Sequence, residues 1–498
     1  MNNSQQTSWN NVRETFQKNW GYDDFRPPQG EIVRCLLAEQ DALIIMPTGG
    51  GKSICFQLPA LLKTGLTLVI SPLVALMENQ VQELRDRSLP ASLLHSQLPN
   101  QNKQQTLTAL QQNKLRLLYL SPETLFNSKV WNLLCQPQIK VNGLILDEAH
   151  CLVQWGETFR PAYRRLGAVR PALIKSKPPG TNIPIAAFTA TANPAAQNII
   201  KTVLQLQNPQ PFLLSPYRDN LYLKIQQICT PRSRRQQLFK FIKARKKQAG
   251  LVYVRTRKDS EKLAEILREK GYETTAYHAG LSAEERRHIE KVWIGGEINF
   301  VVCTSAFGMG INKPDVRWVI HFQAPSLLSE YIQEVGRGGR DGKPAEALTL
   351  VSEPTGWLDS EDKQRQKFLA DKLRSQYQIA QKLIKQLPTT GNINAVTSEF
   401  PDAAIALSLL HSSGKLRWRD PFHYIIHKSA TGKTVSLDDS SGIQQMNQYI
   451  TTRKCRWQFL LEAFGFPKES RDMRCGHCDN CLKEKKGKGS SHKLGIKI

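Results

Sequence analysis

Long apolar runs are missing from this chain of 498 residues, and no stretch approaches the roughly 18 apolar residues that a membrane-spanning helix needs. The opening MNNSQQTSWNN is polar and lacks the cationic start and apolar middle of a secretion signal. Both absences argue against a membrane or exported protein and for an intracellular one. Acids are also scarce, with 43 Asp plus Glu against 68 Lys plus Arg, a formal charge of +25. Such an excess favours a polyanionic partner, in the simplest case nucleic acid, bound more weakly as salt rises. A merely soluble basic protein is the plainer alternative. Short internal repeats are absent. Six of the ten cysteines (Cys35, Cys55, Cys135, Cys151, Cys229 and Cys303) are scattered, mostly among apolar residues. In a reducing compartment these read as small core residues rather than disulfide partners.

What is present has a rhythm. LTLVISP, LRLLYLSPE, GLILDEAH and IPIAAFTATA read as buried strands of a parallel sheet separated by helix-length stretches. The rhythm restarts after a polar, basic joint near residues 229–248, with GLVYVRTR, TTAYHAG, INFVVCTSAFG and VRWVIHF. Two tandem α/β domains with a boundary near residue 220 fit this pattern. Beyond Glu353 the pattern changes to a charged helix over 361–387 and two short helices, Thr390–Phe400 and Asp402–His411. GKLRWRDPFHYIIH then alternates like a hairpin. This is the outline of a winged helix, or equally of an ordinary helical insertion. The basic tail after Cys481 has the composition of a disordered segment.

Several motifs carry chemistry. MPTGGGKS follows the apolar run ALIIM and precedes a helical stretch. Glycines let backbone amides close around phosphate, so Thr48, Gly49, Gly50, Gly51, Lys52 and Ser53 are expected to bind a nucleoside triphosphate, with Ser53 on Mg²⁺. LILDEAH ends a strand in Asp147 and Glu148. Asp147 would join Ser53 on the magnesium, and Glu148 would orient and deprotonate the attacking water. Close by come Trp155, Phe159, Arg160 and Tyr163, aromatics interleaved with arginine as in loops that stack on bases. Upstream, the Gln29 amide suits the edge of adenine, with Tyr22 or Arg26 stacking on the base; a helix-capping Gln is the alternative. YIQEVGRGGRDG sets Arg337 and Arg340 three apart, with Gln333 one turn earlier, as candidates to stabilise charge on a transferred phosphoryl group. Cys455, Cys475, Cys478 and Cys481, spaced C-x19-C-x2-C-x2-C, match a structural zinc site, with His477 a bystander.

Taken together, FRPPQ, MPTGGGKS, ISPLVALMENQV, DEAHCLVQWGETFRPAYRRL, FTATA, AYHAGL, TSAFGMGINKPDVRWVIHF and QEVGRGGRDG resemble the RecQ family of superfamily-2 DNA helicases, over residues 10–352 and again over 451–482. The resemblance implies an α/β fold of two RecA-like P-loop domains, 1–219 and 220–352. A helical or winged-helix-like insertion (353–450), a zinc-binding module (451–482) and a basic tail (483–498) would follow. It implies an ATP- and Mg²⁺-dependent motor that moves 3′ to 5′ on single-stranded DNA and separates duplexes in recombination and repair. In such a motor Trp155, Phe159 and Arg160 would couple DNA contact to hydrolysis. Thr189 and Thr191 would relay between nucleotide and DNA, and Gly308, Gly310 and Asp315 would lie at the interdomain face. Expected partners are single-stranded and forked DNA, single-strand-binding protein and recombination factors. The expected protein is a monomer in the cytoplasm, associated with the nucleoid.

Two departures from the family pattern stand out. About 100 residues separate the arginine motif from Cys455, and the chain ends 17 residues after Cys481, leaving no room for the family's usual winged-helix and helicase-and-RNaseD C-terminal domains. The expectation is that the insertion replaces the duplex-binding domain. Arg417, Trp418, Arg419, Phe422, His423 and Tyr424 would form a basic aromatic wing on duplex DNA, or else a sheet packed on its own helices. A DNA-stimulated translocase or annealing factor with little unwinding, a non-enzymatic zinc-stabilised DNA-binding module, and an RNA substrate are the rival functions.

Overall fold

Short runs rich in Ile, Leu, Val and Ala, such as ALII and FVVC, can satisfy burial only with both faces covered, and they make the inner strands of two parallel sheets. The computed structural model describes residues 8–153, 160–245, 247–307, 311, 313–353, 357–427 and 440–483. These gather into two compact units. One comprises Met1–Met46, Gly50–Leu214 and Lys372–Leu437, and the other Pro47–Gly49, Ser215–Asp371 and Asp438–Ile498.

The sheet of the first unit holds β1 (Ala42–Ile45), β2 (Leu66–Ile70), β3 (Ala91–Leu94), β4 (Leu117–Leu120), β5 (Val141–Leu146), β6 (Ile185–Thr189) and β7 (Gln210–Leu213). Their order is β3-β4-β2-β5-β6-β1-β7, all parallel. β1 and β5 are buried at every position and lie inside the sheet. Each such Leu or Ile contributes roughly 1.5–3 kcal/mol by leaving water. The second unit's sheet holds β8 (Leu221–Ile228), β9 (Gly250–Tyr253), β10 (Thr274–Tyr277), β11 (Phe300–Cys303), β12 (Trp318–His321) and β13 (Ala345–Ser352). Their order is β10-β11-β9-β12-β13-β8, again all parallel.

The rhythm of the second sheet begins earlier than the sequence indicated. β8 precedes the supposed joint at 229–248, and most of that joint is the helix Pro231–Lys243. Thr230 and Ser233 close a capping box at its start, and Leu238, Phe241 and Ile242 face the core. Its many cations hid this amphipathic pattern.

Within the 353–450 segment, a long helix Glu361–Ile384 leads to β14 (Thr390–Asn392), helices Ile393–Glu399 and Ala403–Ser412, β15 (Leu416–Trp418) and β16 (His423–Ile426). The antiparallel sheet has the order β14-β16-β15. Helix, strand, two helices and a hairpin that returns its last strand to the centre of the sheet is the winged-helix arrangement. Trp418 and Tyr424, paired across the hairpin, are buried with Leu416 and Ile426 in this element's own core. They are therefore not DNA-facing wing residues, whereas Arg417, Arg419 and His423 are exposed. The basic tail proposed to be disordered lies outside the described residues, apart from Lys483.

Candidate nucleotide site, coupling network and metal centre

β1 delivers its last residue, Ile45, to a glycine turn that opens the helix Lys52–Leu62. Gly49 (φ 86°) and Gly51 (φ 78°) are left-handed, a conformation costly for other residues. Gly51 is also the position before the helix, so the turn presents amides at a positive helix terminus, a geometry suited to phosphate. Lys52 Nζ donates to the Met46 carbonyl (3.1 Å), back across the turn. Gln29 is buried against the same turn: its Nε2 donates to the Gly50 carbonyl (3.1 Å), and its Oε1 accepts from the Arg26 amide (2.9 Å). A Cβ at Gly51 would stand 2.2 Å from Gln29 Nε2, so the two residues fit only as a pair. Arg26 and Tyr22 are exposed, Tyr22 leaning on Phe16 with ring centroids 5.8 Å apart; Thr48 and Ser53 are half-buried.

β5, in the middle of the sheet, delivers the paired acids at its carboxyl end. Asp147 is 4% exposed and accepts from the Glu148 amide (3.1 Å) and from Gln80 Nε2 (3.4 Å). Burial, and then the adjacent Glu148, push its pKa up to about 6, with Lys52 pulling the other way. A buried carboxylate lifted in this way, with a serine hydroxyl on the phosphate turn, is a hard oxygen donor set suited to Mg²⁺. Glu148 adopts a left-handed φ of 52°. Its Oε2 lies 3.2 Å from His150 Nδ1, which in turn lies 3.1 Å from Thr189 Oγ1. Thr189 Oγ1 donates to the Thr191 carbonyl and accepts from the Thr191 amide, both at 3.2 Å. Burial disfavours a charged His150, but Cys151 and Glu148 raise its pKa to about 10. His150 Nδ1, buried between them, therefore lies within reach of both the half-buried Glu148 and Thr189 of the FTATA turn. Sequence reasoning gave no role to His150 or to Gln80, although Gln80, a polar residue among Leu76, Met77, Val81 and Leu84 on the buried face of the amphipathic helix Val74–Asp86, was a usable signal.

Of the aromatic segment, Trp155 and Phe159 lie outside the described residues. Arg160 NH1 lies 3.7 Å from Glu123 Oε2. Tyr163 belongs elsewhere than expected: it sits in the 3₁₀ helix Pro161–Ala168 with no exposed surface, as part of the core. It cannot stack on a base.

In the second unit, helix Leu328–Val335 ends at Gly336 and the chain turns through the arginine motif. Glu334 anchors that turn. Its two oxygens accept from Arg255 NH1 and NH2 (2.7 Å each), and His321 Nε2 lies 3.0 Å away. Burial alone would raise the Glu334 pKa, but Arg255 and then His321 bring it down to about 2. Gly339 (φ 58°) is held by Asn220 Nδ2, which donates to its carbonyl (2.7 Å). Gln333 is half-buried, Arg337 is buried and Arg340 NH1 donates to the Ile311 carbonyl (3.0 Å). Burial and then Arg337 pull the Arg340 pKa down to about 9, so a second cation nearby is felt. Gly308 and Gly310 lie outside the described residues; Asp315 is exposed and paired with Lys313 (3.3 Å).

The sulfurs of Cys455, Cys475, Cys478 and Cys481 all lie within 4.8 Å of one another. Tetrahedral zinc with bonds of about 2.3 Å sets sulfurs roughly 3.8 Å apart, so four thiolates fit this group with modest adjustment. The Cys475 amide donates to Cys455 Sγ and the Arg456 amide to Cys478 Sγ, both at 3.4 Å, stabilising the charge such ligands carry. His477 Nδ1 lies 2.7 Å from the Cys475 carbonyl, and His477 is not part of the group. The module rests on β8: Trp457 Nε1 donates to the Leu221 carbonyl (3.2 Å), and Leu223 bridges Cys478.

Family models match the chain in three places: DEAD/DEAH box helicase over residues 26–199, helicase conserved C-terminal domain over 233–342, and RecQ zinc-binding over 421–482. The ATP-dependent DNA helicase RecQ of Synechocystis is 53% identical over 471 residues, 95% of this chain and 98% of that protein. The probable ATP-dependent DNA helicase RecS of Bacillus subtilis is 34% identical over 96% and 94% of the two chains. RecQ of Pasteurella multocida is 40% identical over 68% of this chain and 52% of its own length. Among solved structures, S. cerevisiae Dbp5 bound to RNA and ADP BeF3 aligns with a TM-score of 0.56 at 16% identity, over 70% of this chain and 90% of that one. Mycobacterium smegmatis Lhr bound to ssDNA and AMP-PNP aligns at 0.56 and 19%, over 84% and 60%. At such identities these structures show a shared fold only. With its two helicase sheets, its four-cysteine module and relatives alike over nearly their whole length, this chain belongs to the RecQ family of helicases.

Proposed function

We propose that the protein is an ATP-dependent 3′–5′ DNA helicase that couples hydrolysis to translocation on single-stranded DNA and to unwinding in recombination and repair. The observation that carries this reading is the run of close contacts Glu148–His150–Thr189–Thr191, in which the buried His150 sits between the acid that follows β5 and the turn that follows β6. A change at either end can be felt at the other, which a motor requires and a passive binding module does not.

In this mechanism the glycine turn and Lys52 bind the β- and γ-phosphates, and Gln29, with Tyr22 or Arg26, reads the base. Ser53 and Asp147 would hold Mg²⁺, which when bound draws negative charge off the phosphate oxygens. Glu148 orients the attacking water and takes its proton as the bond from the γ-phosphorus to the bridging oxygen breaks, leaving ADP and phosphate. Gln333, Arg337 and Arg340 are assigned to the charge on the transferred phosphoryl group. The support is chemical, since the Arg340 guanidinium, whose charge burial and the neighbouring Arg337 disfavour, is stabilised by an anion. Thr189 and Thr191 pass the state of the nucleotide to the DNA-coupling residues Trp155, Phe159 and Arg160. Single-strand-binding protein and recombination factors remain the proposed partners of a monomer acting on DNA in the cytoplasm. Cys455, Cys475, Cys478 and Cys481 would hold zinc as a structural cross-link.

The deciding experiment compares strand separation on duplexes with a 3′ or a 5′ single-stranded tail in the presence of ATP. Unwinding of the 3′-tailed substrate alone is expected. Unwinding from the 5′ tail refutes the direction, and ATP turnover without separation of either substrate favours a translocase or annealing factor.

A further inference from the structure

The winged-helix element does not stand apart from the first unit but is locked to it by the parts that such elements use on DNA. Its third helix, Ala403–Ser412, corresponds to the groove-reading helix. It contains no Lys or Arg, and Ala403, Ala406, Leu407, Ser408, Leu409 and Leu410 are all buried. A helix that reads a groove must expose polar or basic side chains. This one instead packs against the 3₁₀ helix Pro161–Ala168, whose last residue, Ala168, lies in the element's own core.

The hairpin tip is occupied as well. The Phe422 ring meets Trp131 and Phe126 edge-on, with centroids 5.5 and 6.1 Å away. Arg165, within the same 3₁₀ helix, lies over Phe126 at 4.2 Å and donates from NH1 to the Pro421 carbonyl (3.1 Å). These contacts converge on a short piece of chain with functional neighbours on both sides. Glu123, three residues before Phe126, pairs with Arg160, immediately before Pro161. Tyr163 and Leu166 share a core with Ala149, Cys151 and Leu152, which directly follow the paired acids. Gly167 admits no side chain, because a Cβ there would stand 1.9 Å from the Val203 carbonyl, so the segment has little freedom to move alone.

We propose that the insertion is a brace rather than a duplex reader. Phe422 and Arg165 are positioning residues that hold Pro161–Ala168, and through it Arg160, where DNA contact can accelerate ATP hydrolysis. This rests on the DNA-coupling role proposed for Arg160 and the residues preceding it.

The test uses the full chain and short single-stranded DNA. ATP turnover is measured against DNA concentration for the natural protein, for Phe422→Ala combined with Arg165→Ala, and for Phe422→Tyr, with DNA binding followed separately by fluorescence anisotropy. We expect the double variant to keep its DNA-free turnover and DNA affinity while its maximal stimulated turnover falls by about fivefold or more, and Phe422→Tyr to stay near the natural protein. Full stimulation in the double variant overturns the proposal. So does a parallel fall in DNA-free and stimulated turnover, the mark of plain destabilisation. A natural protein that DNA does not stimulate at all would instead sink the proposed function.

Discussion

Replacing Glu334 by Gln probes the second unit at the residue on which its arginine turn depends. The exchange keeps size and shape and removes one negative charge. In the native fold that charge faces Arg255 through two bonds of 2.7 Å and His321 at 3.0 Å, with the Arg255 and Glu334 side chains 6% and 5% exposed. The carboxyl moves from its ordinary 4.5 down to about 2, and at roughly 1.4 kcal/mol per tenfold in proton affinity this is worth about 3 kcal/mol. A buried pair broken from one side costs about 3–5 kcal/mol by independent experience, because the remaining cation is left uncompensated. Because the folded pKa is depressed, the contribution is complete above the unfolded pKa near 4.5 and fades as pH falls from there toward 2. Denaturant unfolding of Glu334→Gln and of the natural protein, at several pH values from 8 to 5, should therefore show a constant gap of about 3 kcal/mol. Arg337 lies three residues further on, so ATP turnover should fall while nucleotide binding persists. A gap below about 1 kcal/mol, or one that closes between pH 7 and 5, would refute the reasoning.

Other predictions follow from the first unit. Lys52→Ala should remove ATP turnover by about a hundredfold or more while leaving charge-driven DNA binding, whose salt dependence persists; full turnover would refute the phosphate-turn assignment. Gln29→Ala should weaken adenine nucleotides relative to guanine nucleotides, and equal weakening in a competition assay would reduce Gln29 to a prop for the glycine turn. His150→Phe, which fills the space but breaks both contacts to Glu148 and Thr189, should lower DNA-stimulated turnover more than DNA-free turnover. Trp155→Ala should do the same, and stimulation that survives intact in steady-state kinetics would remove Trp155 from the coupling role.

The sequence made visible whatever depends on neighbours along the chain. Strands such as Ala42–Ile45 and Phe300–Cys303 are continuous apolar runs, and the glycine turn and paired acids follow closely on β1 and β5, so composition alone marked them. β8 and the helix Pro231–Lys243 were less legible, because Lys and Arg dilute their patterns even though their inward faces are apolar. The docking of the insertion was not legible at all. Arg165 and Pro421 are 256 residues apart, and nothing local at either end identifies the other. Tyr163 shows the same limit: an aromatic beside an arginine has one composition whether it stacks on a base or fills a core, and only tertiary packing separates the two.

The four-cysteine module bears on a property remote from catalysis. β8 closes one side of the second sheet, and an open strand there would offer its amides and carbonyls to any passing chain. Trp457 takes the Leu221 carbonyl, Leu223 bridges Cys478, and Asp479 accepts the Ile225 amide (3.3 Å), so the module occupies that side. If zinc holds these residues together, its loss uncovers a long, ready-made template for intermolecular strand pairing. An ion far in sequence from the ATP and DNA motifs would then govern how concentrated the protein can become before it self-associates.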